Sequence, residues 1–277
     1  MAADATARTS PIRRVRAAGR THRMRLGARF RESAVVIGIA LRNGRGTVRR
    51  ALLSALAQES VGMPIGALIL DDGSTDGWED AVADLLLDPR LAVARGRHGA
   101  AWRARNALLA LAERLCPRLQ WHARLDADDA FRGTRALRDL VAGADRPGVV
   151  AVLGGNRQRL AGRLLRRPNH ATARLLDRRY LLARLEGMAR LEPRAELPSC
   201  NLLLRARAGF RYPAEASAED HWLVARLLFE HRAHVRVLPR LLCCDYALAG
   251  ALTRGNRQTR VYRDSRRRLL AAARGWR

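Results

Sequence analysis

The chain has 277 residues, 48% of them hydrophobic, and carries a formal net charge of +26 from 52 basic against 26 acidic side chains. That is enough chain and apolar content to bury a core without disulfides or metal staples, which excludes disordered, collagen-like and mini-protein classes. No run approaches the ~18 consecutive apolar residues that cross a bilayer, so the sequence predicts no membrane span.

The first strong element is AVVIGIAL, residues 34–41, a β-branched apolar run that reads as a buried parallel strand ending at Arg42-Asn43-Gly44-Arg45-Gly46. From Thr47, a candidate N-cap, Val48, Leu52 and Leu56 fall four apart and predict a helix. A second strand, residues 67–70, stops at Asp71-Asp72-Gly73-Ser74-Thr75-Asp76-Gly77. A helix from about Trp78 through Leu86, a strand at 91–94, a helix over 100–115 and a strand at 121–125 follow, then the acidic turn Asp126-Ala127-Asp128-Asp129. A helix near 134–142 and a strand at 149–154 complete a βαβα run, which means a mostly parallel sheet flanked by helices. The second half reads as an Arg-rich loop over 156–171, a helix over 172–188, an extended 201–204, a helix over 218–230 and short strands at 235–238 and 241–246. The expected organisation is one α/β domain over 34–253, in two halves at 34–155 and 156–253.

The two ends stand apart by charge. Residues 1–33 hold nine Arg against Asp4 and Glu32, residues 254–277 hold nine Arg against Asp264, and there is no Lys anywhere. They read as a basic arm and a basic tail suited to an anionic surface, whether nucleic acid or acidic lipid head groups, or as solvated products of coding bias. The arm also has the composition of an organellar transit peptide and lacks the apolar core of a secretory signal. The cysteines, Cys116, Cys200, Cys243 and Cys244, show no zinc-ligand spacing and read as reduced thiols of a cytoplasmic protein.

In an open parallel sheet, ligands bind outside the carboxyl ends of the strands, where strand order reverses. Asp71 and Asp72 follow one predicted strand, and Asp126, Asp128 and Asp129 follow another. Ordinary turns use the same residues, but two acidic clusters at corresponding sheet ends point to a site. Adjacent carboxylates call for a cation, and hard Mg2+ or Mn2+ takes one or two of them together with substrate phosphates, so a nucleotide diphosphate is the matching ligand. A dinucleotide fingerprint fails because Arg49 stands where its third glycine belongs, and no P-loop is present.

Six segments in order, VVIGIALRNGRGTVRRALLSALAQ, ALILDDGSTDGWEDAV, GAAWRARNALLALA, WHARLDADDAF, LPSCNLLLRARAGF and SAEDHWLVARLL, make the chain resemble the inverting family 2 glycosyltransferases of GT-A fold. The resemblance implies a nucleotide-sugar donor, a UDP-sugar first among candidates, bound by the half at 34–155, and a hydroxyl acceptor on the side of the half at 156–253. Asp72, beside Asp71, would contact the base, Asp126 would lie near the ribose, and Asp128 would coordinate the divalent metal. Arg105 would meet the donor phosphates or buttress the loop. Asp220 would be the catalytic base of a single inverting displacement, with Glu219 and Trp222 on the acceptor side. Ser217 three residues before Asp220 also reads as a capping box.

The chain departs from the family's usual first strand end with Ala40-Leu41-Arg42-Asn43, and it lacks the QxxRW motif and membrane helices of processive synthases, so a non-processive enzyme is implied. His170 and His221 are conceivable third metal ligands, although packing explains them as well. The resulting expectation is a metal-dependent transferase in the cytoplasm, peripheral on the inner membrane face through its Arg-rich ends, acting on a cell-surface polysaccharide, glycolipid or secondary metabolite. The competing readings are a non-catalytic sugar-nucleotide-binding fold and a basic nucleic-acid-binding protein. The latter is opposed by an aromatic content of only 5% and the absence of a binding motif, so no specific nucleic acid is expected.

Overall fold

The computed structural model describes residues 13–59, 62–160, 163–168, 171–192, 195–247 and 260–276. Strand β3 (Val35–Leu41) alternates: Val35, Ile37, Ile39 and Leu41 pack on one face and Val36 on the other. It pairs in parallel with β4 (Ile65–Asp71) on one side and β6 (Trp121–Arg124) on the other, and β4 pairs in parallel with β5 (Leu91–Arg95). Chain order therefore runs outward from β3 to β5 and then returns to the far side of β3, which sets the reversal point at the ends of β3, β4 and β6.

Helices α1 (Val48–Leu56) and α3 (Ala136–Gly143) cover one face, and α2 (Ala101–Leu115) covers the other with Ala104, Ala107, Leu108, Leu111 and Leu115. Past β6 the sheet turns antiparallel through β10 (Leu202–Arg205) to β8 (Ala151–Leu160), which pairs in parallel with β11 (Val235–Ala247). A two-residue strand β7 (Ala130–Phe131) joins the far edge, and α4 (Arg178–Ala189) and α5 (Glu219–Glu230) enclose a second core. Among the described residues, no helix is long and apolar enough to cross a membrane.

The described part of the basic arm is a hairpin, β1 (Arg13–Ala17) and β2 (Arg20–Leu26), that extends the sheet by pairing antiparallel with β5. Its turn residues, Ala18 and Gly19, both have positive φ, the geometry that matches strand twist in a tight hairpin. Buried Ala17, His22 and Met24 face inward between exposed arginines, a period-two pattern that the arginine content conceals. At the other end, Arg260–Gly275 forms helix α6 instead of a loose tail. Tyr262, Ser265, Arg266, Leu269 and Ala273 make its buried stripe, with Leu269 and Ala273 in the second core. Trp276 then meets Phe229 and Trp222 edge-on at 5.5 and 6.1 Å.

Three internal readings also change. The helix expected after Trp78 is two 3-10 turns, Asp80–Val82 and Leu85–Leu87. The stretch between Gly77 and Pro89 is too short to sustain a helix alone, and Arg49 draws Asp84 outward through a two-pronged pair of 2.6 and 2.9 Å. The expected loop over 156–171 is mostly a hairpin, because β8 runs on to Leu160 and returns as β9 (Arg163–Pro168). The two short strands after Val235 are one strand with bulges beyond Leu238. Cys116 and Cys200 are buried free thiols and Cys244 is buried, and the Cys243 side chain lies outside those described.

Candidate active site

The ends of β3 and β4 are laced together by short polar residues. Asn43, at φ 51°, donates its backbone N–H to Ser74 Oγ at 2.8 Å and accepts from Thr75 N at 2.9 Å through Oδ1. Asp71 accepts from Ser74 N at 2.8 Å, so this aspartate is buried as a loop organiser. Gly73, at φ 78°, lets the chain reverse here, and a Cβ in its place would lie 3.2 Å from Arg97 Cγ. Asp72 points the other way: it accepts from the backbone N–H of His98, and its Oδ1 lies 3.1 Å from His98 Nδ1. Burial would raise the Asp72 pKa, but the His98 hydrogen bonds outweigh it and hold the carboxylate ionised.

The end of β6 is built from charge. Arg124 grips Asp126 with a fork of 2.6 and 3.0 Å, and it reaches Asp220 Oδ2 at 3.0 Å and the Ser199 carbonyl at 2.8 Å. Arg105, on α2, donates to Asp126 at 3.1 Å and pairs with Glu219. Its guanidinium also lies 5.7 Å from the centre of the Tyr212 ring. The Ser199 hydroxyl donates to Asp220 Oδ2 at 2.8 Å, and His221 N donates to Oδ1 at 2.8 Å. Burial opposes ionisation of Asp220, yet His221, Arg124, Arg105 and Ser199 hold its pKa well below the usual carboxylate range. Asp126 is likewise kept ionised against burial by Arg124 and Arg105. Beneath these pairs lies a cavity of about 30 Å³ lined by Arg105, Arg124, Asp126 and Tyr212, room for one or two waters, so a donor would bind above it.

Asp128 is the contrasting member. It makes no ion pair among the described residues, its backbone carbonyl is held by Arg50, and burial followed by the Asp126 charge raises its pKa. Asp129 is buried below it: Oδ1 accepts from Ala247 N at 2.8 Å, and Oδ2 has no partner among the described residues. The described residues do not gather three His, Cys, Asp or Glu side chains into a metal cage. The Asp128 carboxylate, whose charge burial and Asp126 disfavour more than Arg124 and Arg50 favour it, does fit a divalent ion whose remaining ligands would be diphosphate oxygens and water.

The structure thus brings Asp126, Asp220, Arg105 and Glu219 into one network and places Asp72 and Asp128 after β4 and β6, the two strands that flank β3. Arg105 is engaged by two carboxylates, Asp126 and Glu219. Glu219 is buried against Arg105 instead of facing an acceptor. Trp222 is half-buried against α6, with Nε1 3.3 Å from Ser265 Oγ. The capping box is absent too, since Ala218, at φ 61°, precedes α5 without a side-chain cap, and the Ser217 carbonyl instead accepts from Ser265. His221 is buried and its pKa is lowered, foremost by burial, whereas His170 lies outside the described residues. Sequence reasoning passed over Arg124, Ser199, Tyr212 and His98. Arg124 alone left a signal, two residues before the first aspartate of the D-x-D.

Comparison with known proteins identifies the family and the fold. A 34% identical match over 180 residues links the chain to the succinoglycan biosynthesis protein ExoO of Rhizobium meliloti, covering 64% of this chain and 45% of that protein. The chain thus spans less than half the length of this curated relative. Among solved structures, S. aureus TarS residues 1–349 in complex with UDP-GlcNAc superposes with a TM-score of 0.64 at 17% identity, covering 86% of this chain and 66% of that one. Glucosyl-3-phosphoglycerate synthase of Mycobacterium tuberculosis, in complex with Mn2+, UDP and glucosyl-3-phosphoglycerate, gives 0.57 at 14%, covering 88% and 81%. These likenesses show a shared GT-A fold. Residues 36–208 match the family described as glycosyl transferase family 2, and the chain belongs to that family.

Proposed function

We propose that the protein transfers a sugar from a nucleotide-diphosphate donor to an acceptor hydroxyl, with inversion and without processive elongation. The observation that carries this reading is the convergence of Asp72, Asp126, Asp128 and Asp220 at one carboxyl edge of the sheet, in a family 2 chain. In this reading Asp72 reads the base through its remaining acceptor capacity, and Asp126 faces the ribose while Arg124 and Arg105 fix its position. Asp220 accepts the proton of the acceptor hydroxyl as that oxygen attacks the anomeric carbon. Its low pKa keeps it ionised at neutral pH, and Ser199 and Arg124 set the direction of its free lone pairs. Mn2+ or Mg2+ held by Asp128 would supply charge neutralisation of the departing diphosphate.

A UDP-sugar is the first donor to test, in keeping with the TarS complex. The ExoO likeness favours a cell-surface polysaccharide as acceptor over a glycolipid or secondary metabolite. We place the enzyme in the cytoplasm, against an anionic membrane face, because exposed arginines line the outer sides of the β1–β2 hairpin and α6. Thermal-shift titration with UDP, GDP, CDP and dTDP and their sugars, each with Mn2+, Mg2+ or EDTA, tests the donor reading. A ligand at 100 times its Kd adds about 2.7 kcal/mol. A metal-dependent rise with one base supports it, and no rise with any would favour a non-catalytic fold.

A further inference from the structure

The basic hairpin lies outside the segment that matches the family, yet one of its side chains reaches the candidate base site. His22, on β2, is fully buried, and its Nε2 lies 3.1 Å from Nε2 of His98, with the two rings stacked at 5.2 Å and 19°. His98 in turn lies against Asp72 with Nδ1 at 3.1 Å. The Asp72 carboxylate only accepts, so His98 Nδ1 carries the hydrogen between them, and the two Nε2 atoms share another. Burial, and next the proximity of His98, lower the His22 pKa against the Val15 and Arg20 carbonyls, which raise it.

Beside the row lies a cavity of about 280 Å³, lined by Arg20, Thr21, His22, Gly96, Arg97 and His98. Arg20 closes one end by donating to the Arg97 carbonyl at 2.7 Å, and the Arg97 side chain passes over Gly73 in the loop that follows Asp72. The cavity therefore opens between the hairpin and the segment after β5 whose His98 holds Asp72.

We infer that the β1–β2 hairpin completes the base pocket of the donor site, and that His22 is a positioning residue that fixes the His98 ring and, through it, the orientation of Asp72. This inference rests on the donor reading above. The hairpin then selects which nucleobase is accepted while leaving the diphosphate end untouched.

The test uses the full chain with UDP, GDP and CDP, and with inorganic pyrophosphate, each with Mn2+, measured by calorimetry. His22→Leu fills the space without a donor, whereas His22→Gln keeps an N–H near the Nε2 position. We expect His22→Leu to weaken the preferred nucleotide about tenfold, the scale of one lost buried hydrogen bond, and to narrow the ranking among bases. Pyrophosphate should bind as before, and His22→Gln should restore most of the loss. Wild-type affinity and base ranking in His22→Leu would overturn the inference while the donor reading stands. Failure of the wild-type chain to bind any nucleoside diphosphate would remove the donor reading and this inference with it. Nitrogen NMR of the wild-type imidazoles covers the case in which His22→Leu does not fold: His22 and His98 signals that move on adding the preferred nucleotide but not pyrophosphate support the inference, and signals unmoved by a nucleotide that binds overturn it.

Discussion

The two acidic loops at the carboxyl edge of the sheet are held in opposite ways. After β4, Asp71 and Asp72 are fixed by backbone N–H groups and an imidazole, and neither carboxylate touches an arginine or forms part of a charge network. After β6, Asp126 is tied, with Asp220 of α5, to guanidinium groups, and Asp128 makes no ion pair among the described residues. Hydrogen bonds to backbone fix direction and suit a loop that reads the edge of a flat ring. Balanced charge with one uncompensated carboxylate suits a loop that handles phosphates, a cation and a proton. The same residue type at the same sheet edge thus takes two roles, and its neighbours decide which.

The comparison breaks most sharply at Arg124. Arg124→Ala removes the group shared by Asp126 and Asp220 and leaves both partly uncompensated in a buried site, a change that costs about 3–5 kcal/mol. Urea denaturation should show this as a fall in the midpoint with an unchanged slope. Arg124→Lys should recover part of it, since an ammonium supplies the charge but not the fork that meets both oxygens of Asp126. Asp220→Asn keeps an oxygen for Ser199 and Arg124 but loses the charge they hold and the acceptor for His221 N, so the melting temperature should fall less than in Arg124→Ala while turnover falls by about 100-fold or more. Activity that survives with a lowered melting temperature would make Asp220 a structural residue of α5.

Asp128→Asn should act on ligand binding alone. Without ligand the variant should be as stable as the wild type or slightly more so, because the substitution removes a charge that burial and Asp126 already disfavour. The Mn2+-dependent stabilisation by a nucleotide, about 2.7 kcal/mol at 100 times Kd, should disappear. Retention of that shift would move the metal to another carboxylate.

How far the sequence reveals these arrangements depends on whether a residue's meaning is local. The apolar run of β3, the four-residue spacing in α1 and the acidic turns at Asp71 and Asp126 are local patterns, and the structure places each as expected. The partners are not local. His98 is 26 residues from Asp72, Arg124 is 96 from Asp220, and Arg105 is 114 from Glu219, so only the folded sheet brings them together. The hairpin and α6 were hidden for another reason. Arginine occupies nearly every solvent-facing position of both, and a pattern of arginine with sparse apolar residues reads as a charged tail until Met24 or Leu269 is found in a core.

Acidification should loosen the whole fold before it reaches these carboxylates. His22, His122 and His221 have pKa values lowered from the ordinary value, each foremost by burial. The unfolded chain therefore binds more protons as pH falls below about 6.5, and stability declines with falling pH in that window. Glu113 gives a second, lower stage. Its hydrogen bond from His122 leads the causes that bring its pKa to about 2, so its contribution is present above the ordinary glutamate value of about 4.5 and is lost as pH falls from there toward 2. Melting curves from pH 8 to pH 3 should show both stages, and His122→Gln should diminish both.

The smallest effect separates the two loops by backbone alone. Gly73 holds φ 78°, whereas no residue from Arg124 to Asp129 has positive φ. An L-residue at position 73 pays the left-handed cost of about 1–2 kcal/mol, and its Cβ also presses on the Arg97 side chain, which is flexible and can withdraw. Gly73→Ala should therefore lower stability by about 1 kcal/mol, and Gly73→Asn by less, because asparagine tolerates this region. Ala127→Gly in the other loop should cost only the added freedom of the unfolded chain, about 0.4–1 kcal/mol. If the loop after β4 reads the base by direction, Gly73→Ala should also weaken nucleotide binding without changing the affinity for pyrophosphate, and Ala127→Gly should not discriminate between the two.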